Sequence, residues 1–393
     1  MRLPHRLIAP LIAIALLLSA PATHAQQGHS PHTTPDTGAA WQVTDTREIP
    51  RASGPLLLSP DGSRVFTQDP YDFSRACIVP IEIGEERCDS TGYDNAHAID
   101  PLSITWAPDS SAVAFGLNAS MLGIDPDILV IDAGTGVIAN LTDDGETRLA
   151  DGLSYDIAPS WSRDGTSLVF QRITRGEDGA DLTRLMRVPR TGGEPALLAT
   201  LATDQFFRVI GQFHELPDGS WLFGQQAFSG TVTFAIARVT PDGSITTVID
   251  GDPEGDYPNP ILASVAADGA WAAFVTTAGR TNAASAGKVA FIDLASHAVI
   301  PIDIASAPRA LPIFSPDGRD LLLVTEERDV PATAWLVPAG EFTPVEFAHF
   351  TTPAEIMPGL AAIPIAPSVT WSRANLILIH TFTNTVIFTV ERG

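Results

Sequence analysis

The sequence predicts an all-β fold: a seven-bladed β-propeller of four-stranded antiparallel blades, with an N-terminal strand closing the last blade. Three observations lead there. From Trp41 onward the chain consists of short apolar runs rich in β-branched and aromatic residues, with almost no 3.6-residue periodicity. The runs are separated by Gly, Pro, Asp and Asn, the residues that turn a chain. One punctuated stretch also recurs seven times, at intervals of 48 to 57 residues. A period near 50 built from strand-type runs marks propeller blades rather than helical solenoids.

The first 25 residues read as a signal peptide. Arg2 and Arg6 precede the apolar run "LIAPLIAIALLLSA", and Thr23 and Ala25 are small enough for the −3 and −1 positions of a cleavage site after Ala25. About 20 apolar residues are needed to span a bilayer, so this run is short for an uncleaved anchor, which is the alternative. The chain is therefore expected to be secreted or periplasmic, with no membrane span after cleavage. Residues 26–40 are polar and rich in Pro, Thr and Gly, a flexible lead-in. The propeller is assigned residues 41–393.

"WQVTDTREI", residues 41–49, is strand-like but belongs to no unit of its own. The units follow as "LLLSPDGSRVFTQ" around Asp61, "ITWAPDSSAVAFG" around Asp109, "PSWSRDGTSLVFQ" around Asp164 and "FHELPDGSWLFGQ" around Asp218. "LASVAADGAWAAFV" around Asp268, "PIFSPDGRDLLLV" around Asp317 and "VTWSRANLILIHT" around Ala374 complete the set. Ser-Pro-Asp-Gly suits a type I turn that runs into a left-handed glycine, so these acids are read as hairpin hinges, not as catalytic groups. A second hairpin follows in each unit, clearest in "DILVIDAGTGVIANLT", which makes four strands per blade. The near-continuous apolar second strands suit sheets covered on both faces. The seventh unit supplies three strands only, and residues 41–49 are predicted to be its fourth. Six or eight blades are the alternatives.

The pattern DxxPSWSxDGxxLVF followed by "DILVIDAGTGVIANLT" resembles the WD40-like propeller repeat of the TolB family and of prolyl-oligopeptidase relatives. The resemblance covers about 350 residues at the level of repeats, and it implies fold more than function. TolB-like proteins carry an α/β domain before the propeller, for which no stretch here accounts. Oligopeptidases carry an α/β-hydrolase domain, and the chain has no Gly-x-Ser-x-Gly elbow.

The formal charge is −23, and loss of residues 1–25 removes two arginines and takes it to −25. Lys288 is the only lysine and no basic run occurs, so nucleic acid and anionic lipid are excluded as partners. Cys77 and Cys88 are the only cysteines, and a disulfide across a turn is expected in an oxidising compartment; a paired-thiol metal site is set aside for want of companion cysteines.

In the resembled fold the loops before the inner strands converge on the channel mouth, which makes Asp100, Asp156, Asp256 and His97 the candidate binding residues. The competing reading has these acids bonding backbone amides between blades. Asp250, Asp252 and Glu254 imitate the first half of a calcium loop, but Ile261 stands where the bidentate acid belongs. Calcium is the one cofactor considered on that ground. His97, His214, His349 and His380 fall in or beside different blades and form no pair at ligand spacing. Related propeller lyases gather His and Gln round a channel metal, so convergence of these histidines is the test for such a centre. Trp106, Trp161 and Trp371 recur at equivalent places, which favours packing between blades. The sequence therefore favours a monomeric, non-catalytic module that binds a protein or peptide. The alternative is a propeller lyase or hydrolase with a metal in the channel.

Overall fold

The computed structural model describes residues 41–392 except 50–55, 70–71, 73, 83, 94–98, 101–102, 118–125, 144–153, 176–180, 204–205, 229–231, 252–256, 277–286, 305, 309, 326–331, 351–367 and 381–384. These residues form seven four-stranded antiparallel sheets, each running in chain order from an inner to an outer strand. The inner strands of blades 1 to 7 are Leu56–Leu58, Thr105–Trp106, Ser154–Trp161, Phe206–Glu215, Pro260–Val265, Ile313–Phe314 and Ser368–Trp371. The seventh sheet takes its outermost strand from Trp41–Ile49, which pairs antiparallel with Thr385–Arg392. Inner strands of blades 1 and 7 meet, and the ring closes.

The core sits between blades. In blade 3, Leu168 and Phe170 pack toward blade 2 and Val169 toward blade 4. In blade 6, Leu321 and Leu323 face blade 5 while Leu322 and Val324 face blade 7. Side chains alternate across a strand, so an unbroken apolar run fills two interfaces at once. Among the described residues the cluster between blades 7 and 1 is small, with Leu56, Leu58, Val65, Leu378 and Ile387 fully buried. Buried polar groups reinforce the apolar clusters. The side-chain amide of Gln171 donates to Phe207 O at 2.9 Å and accepts from Val209 N at 2.8 Å, which stitches blade 3 to blade 4. Trp106 and Trp161 each donate an indole N–H to a carbonyl on the preceding inner strand, Leu57 O and Thr105 O. Trp371 stands in the same place, but its buried Nε1 finds no partner among the described residues.

The recurring tetrad is a hinge with a fixed wiring. In blade 1, Asp61 Oδ1 accepts from Ser59 Oγ at 2.6 Å and Ser63 N at 3.0 Å, while Ser59 Oγ accepts from Arg64 N. Blade 3 repeats this through Ser162, Asp164, Thr166 and Ser167, and the bonds to Asp164 hold its carboxyl down to about 2. Gly62, Gly165, Gly219, Gly269 and Gly318 all take φ between 68° and 80°, the left-handed region where a Cβ is strained. Ser110 and Asn375 occupy it in blades 2 and 7 at 61° and 58°. Ser110 has a reason to be there, since its Oγ accepts from Asp61 N of the neighbouring blade at 3.0 Å.

Candidate functional site

The antiparallel order puts every inner hairpin turn on one face of the ring and the starts of the inner strands on the other. Asp100 precedes the inner strand of blade 2 and Asp156 stands near the start of the inner strand of blade 3, both toward the second face. Each carboxylate meets an arginine. Asp156, 3% exposed, is held by Arg172 Nε at 2.8 Å and Nη2 at 2.7 Å, directly across the hairpin. Burial pushes the Asp156 carboxyl up and Arg172 opposes it, with Asp127 adding to the rise. Asp127 is buried itself and bonded by Tyr93 Oη, Asn140 Nδ2 and Thr142 Oγ1.

Asp100 is reached differently. Arg208, on the inner strand of blade 4, extends past blade 3 to place Nη2 3.3 Å from Asp100 Oδ2. Further along the same strand, Gln212 Nε2 donates to Ile104 O of blade 2 at 2.5 Å. Two side chains of blade 4 thus reach past blade 3 to blade 2. On the opposite face, Arg163 of blade 3 donates to Ala267 O of blade 5 at 2.9 Å, and Arg373 of blade 7 to Pro108 O of blade 2 at 3.3 Å. Both arginines stand at the tetrad position that is proline in four of the other blades. The sequence reading missed all four arginines. The available signal was a lone charge in an apolar strand, as in "LVFQRIT" and "FFRVIG": a buried or channel-facing arginine needs an acid partner.

The histidines on described strands belong to different blades. His214 is on the inner strand of blade 4, while His349 is on the outermost strand of blade 6 with Nε2 2.6 Å from Glu346 Oε1. His380 belongs to the second strand of blade 7. His97, Asp252, Glu254 and Asp256 lie outside the described residues; Asp250 ends the outer strand of blade 4. His214 is half-buried on that strand. Burial lowers its pKa to about 4.

That shift carries a stability prediction. An unfolded histidine takes a proton near pH 6.5, whereas folded His214 resists it until about pH 4. The unfolded state binds more protons in this window, so stability is lost as pH falls from about 6.5 to 4. His214→Gln should flatten that slope, read from urea midpoints at pH 7 and pH 5; an unchanged difference would show that the ring is solvated.

Among the described residues, one group of three metal-ligating side chains comes together, and it is away from the channel. Cys77 and Cys88 on the two outer strands of blade 1, and Glu86 just before the outermost of them, place one ligand atom each within 4.8 Å of one another. The two sulfurs are joined as a disulfide of 2.09 Å, so in this state they are not free for a metal. The described channel residues bring no three such atoms together.

No family model matches the sequence, and no curated protein matches it significantly. Solved structures do match. Oligogalacturonate lyase from Vibrio parahaemolyticus is 14% identical, with 91% of this chain and 96% of that one covered at a TM-score of 0.57. An oligogalacturonate lyase in complex with manganese is 13% identical, with 88% and 98% covered at 0.52. TolB from Acinetobacter baumannii is 18% identical, with 76% of this chain covered at 0.44; the chain spans 64% of that protein's length. These identities establish a likeness of fold. The expectation of a non-catalytic module is corrected: the two oligogalacturonate lyases match over nearly the whole of both chains, and Cys77, Glu86 and Cys88 form a ligand-type group that the sequence reading had set aside. The chain is a seven-bladed β-propeller, similar in fold to oligogalacturonate lyases.

Proposed function

We propose that the protein is an exported enzyme of the propeller lyase or hydrolase kind, acting at the channel mouth on an oligosaccharide that carries carboxylates. The observation that carries this reading is the Arg208–Asp100 pair spanning the mouth at 3.3 Å, with 40% of the arginine side chain exposed. A guanidinium held by one solvent-accessible carboxylate can exchange it for another, and bidentate pairing with a uronate favours the exchange. Elimination next to a carboxylate needs its charge neutralised and a base for the adjacent proton. Arg208 would supply the first, and Asp100, beside it, is the group placed to supply the second. The full-length likeness to oligogalacturonate lyases supports a uronate as the substrate class. The described channel residues do not offer the ligand set that a manganese ion would need, so the step is written through the protein's own groups. Export is inferred from residues 1–25; no helix among the described residues is long and apolar enough to cross a membrane.

The test is incubation of the protein with oligogalacturonates, following the ultraviolet absorbance of unsaturated uronate ends and, separately, new reducing ends. Absorbance identifies elimination, and reducing ends without absorbance identify hydrolysis. Arg208→Ala and Asp100→Asn should each lower turnover by roughly 10²-fold or more. No product from any uronate oligomer, or full activity in both variants, would defeat the proposal.

A further inference from the structure

We infer that Cys77, Cys88 and Glu86 form a thiol-based metal site that exists only when the disulfide is reduced, and that takes a soft divalent cation of the zinc type. This site is remote from the channel and does not depend on the function proposed for it.

The register sets the geometry. Cys77 on strand Arg75–Pro80 and Cys88 on strand Arg87–Ser90 are direct cross-strand partners, with Cα atoms 4.1 Å apart. The pairs Arg75↔Ser90 and Ile78↔Arg87 flank them on the same ladder, so the backbone keeps both sulfurs side by side whether or not they are bonded. Glu86, one residue before the outer strand, turns its Oε1 to within 3.2 Å of Cys88 Sγ. A disulfide sulfur has no proton to donate, so this approach is no hydrogen bond in the oxidised chain.

The three positions differ in burial in a useful way. Cys77 is fully buried, Cys88 is half-buried and Glu86 is exposed. The carboxylate therefore marks the side from which an ion arrives. Successive side chains alternate across a strand, and Val79 packs toward blade 7 while Ile78 packs toward blade 2. Cys77 shares the face of Val79, so the site lies on the side of blade 1 that looks onto the closing seam of the ring.

The chemistry balances in two steps. A dithiol reductant gives two electrons and two protons to the S–S bond, becoming a disulfide itself and leaving two thiols. A divalent cation then displaces the two thiol protons and is held by two thiolates and one carboxylate. Two sulfurs and one oxygen within 4.8 Å match zinc bond lengths of about 2.0–2.3 Å, and three protein ligands leave the fourth tetrahedral position to water. Thiolates select zinc, or cobalt as its spectroscopic substitute, over calcium and magnesium. Disulfide and metal exclude each other, since the same electron pairs serve both.

The experiment uses the full chain, reduced with a phosphine and titrated with cobalt(II) and then zinc(II) without oxygen. Reduced protein should develop thiolate-to-cobalt absorption saturating at one equivalent and bleached by zinc; oxidised protein should show none. Glu86→Gln should weaken cobalt binding about tenfold, and Cys88→Ser should abolish the absorption. Zinc should also raise the melting temperature of the reduced chain and leave the oxidised chain unchanged. Absence of thiolate–cobalt absorption, equal affinity in Glu86→Gln, or a reduced chain whose unfolding zinc does not alter would each overturn the inference.

Discussion

Replacing Trp41 with alanine should cost about 3–5 kcal/mol, the largest loss available at a single residue of the N-terminal strand. Trp41 is 6% exposed and makes three contacts at once. Its indole N–H donates to Asp320 Oδ2 at 2.8 Å, and its ring meets Trp371 edge-on at 5.1 Å. The guanidinium of Arg392, its cross-strand partner, lies over the ring at 5.3 Å. The same guanidinium holds Asp317 Oδ2 at 2.6 Å and Asp320 Oδ2 at 3.3 Å. Both strands of this pair, Trp41–Ile49 and Thr385–Arg392, thus dock on the tetrad hairpin of blade 6. Trp41→Phe keeps the bulk but leaves Asp320 one donor short, and should cost about 1–2 kcal/mol. Chemical denaturation measures both, and hydrogen exchange should show 41–49 and 385–392 opening together in the alanine variant. A Trp41→Ala loss no larger than that of a surface substitution would mean that closure rests elsewhere.

Arg172→Ala is the second large effect, again about 3–5 kcal/mol, because it leaves the buried Asp156 carboxylate without its cation. Burial already pushes that carboxyl up, and removing the arginine pushes it further. A carboxyl whose folded pKa is raised binds its proton more tightly in the native state. The variant should therefore recover stability as pH falls through the raised value, and its deficit should be greatest at neutral pH. Asp156→Leu combined with Arg172→Met should cost less than Arg172→Ala alone, since a buried pair replaced whole leaves no stranded charge. Urea unfolding of the three variants at pH 7 and pH 5 decides it; a pH-independent loss would show that packing, not charge, is what Arg172 supplies.

The residues that were legible in the sequence are those whose roles are local. Ser59, Asp61 and Gly62 interact within a few positions of one another, so turn chemistry names them without a structure. The blade count followed from the spacing of such turns, and the closing strand from the three-strand last unit. The unreadable part is long-range: Arg208 meets Asp100 across 108 residues and Trp41 meets Asp320 across 279. No local pattern encodes a partner two blades away, because the ring brings it near only when every blade is in place. Asp317 shows both sides. Its bonds to Ser315 Oγ and Arg319 N make it a hinge like the others, while its partner Arg392 makes this one hinge the anchor of ring closure.

The two arginines in the tetrads of blades 3 and 7 tie together blades that are not neighbours. Arg163 and Arg373 reach across the turn face to carbonyls two blades away, and Arg208 and Gln212 do the same on the other face. A ring held only by neighbour-to-neighbour contacts can open at any one seam, whereas these four side chains skip a blade, so parting one seam also strains the contacts that pass over it.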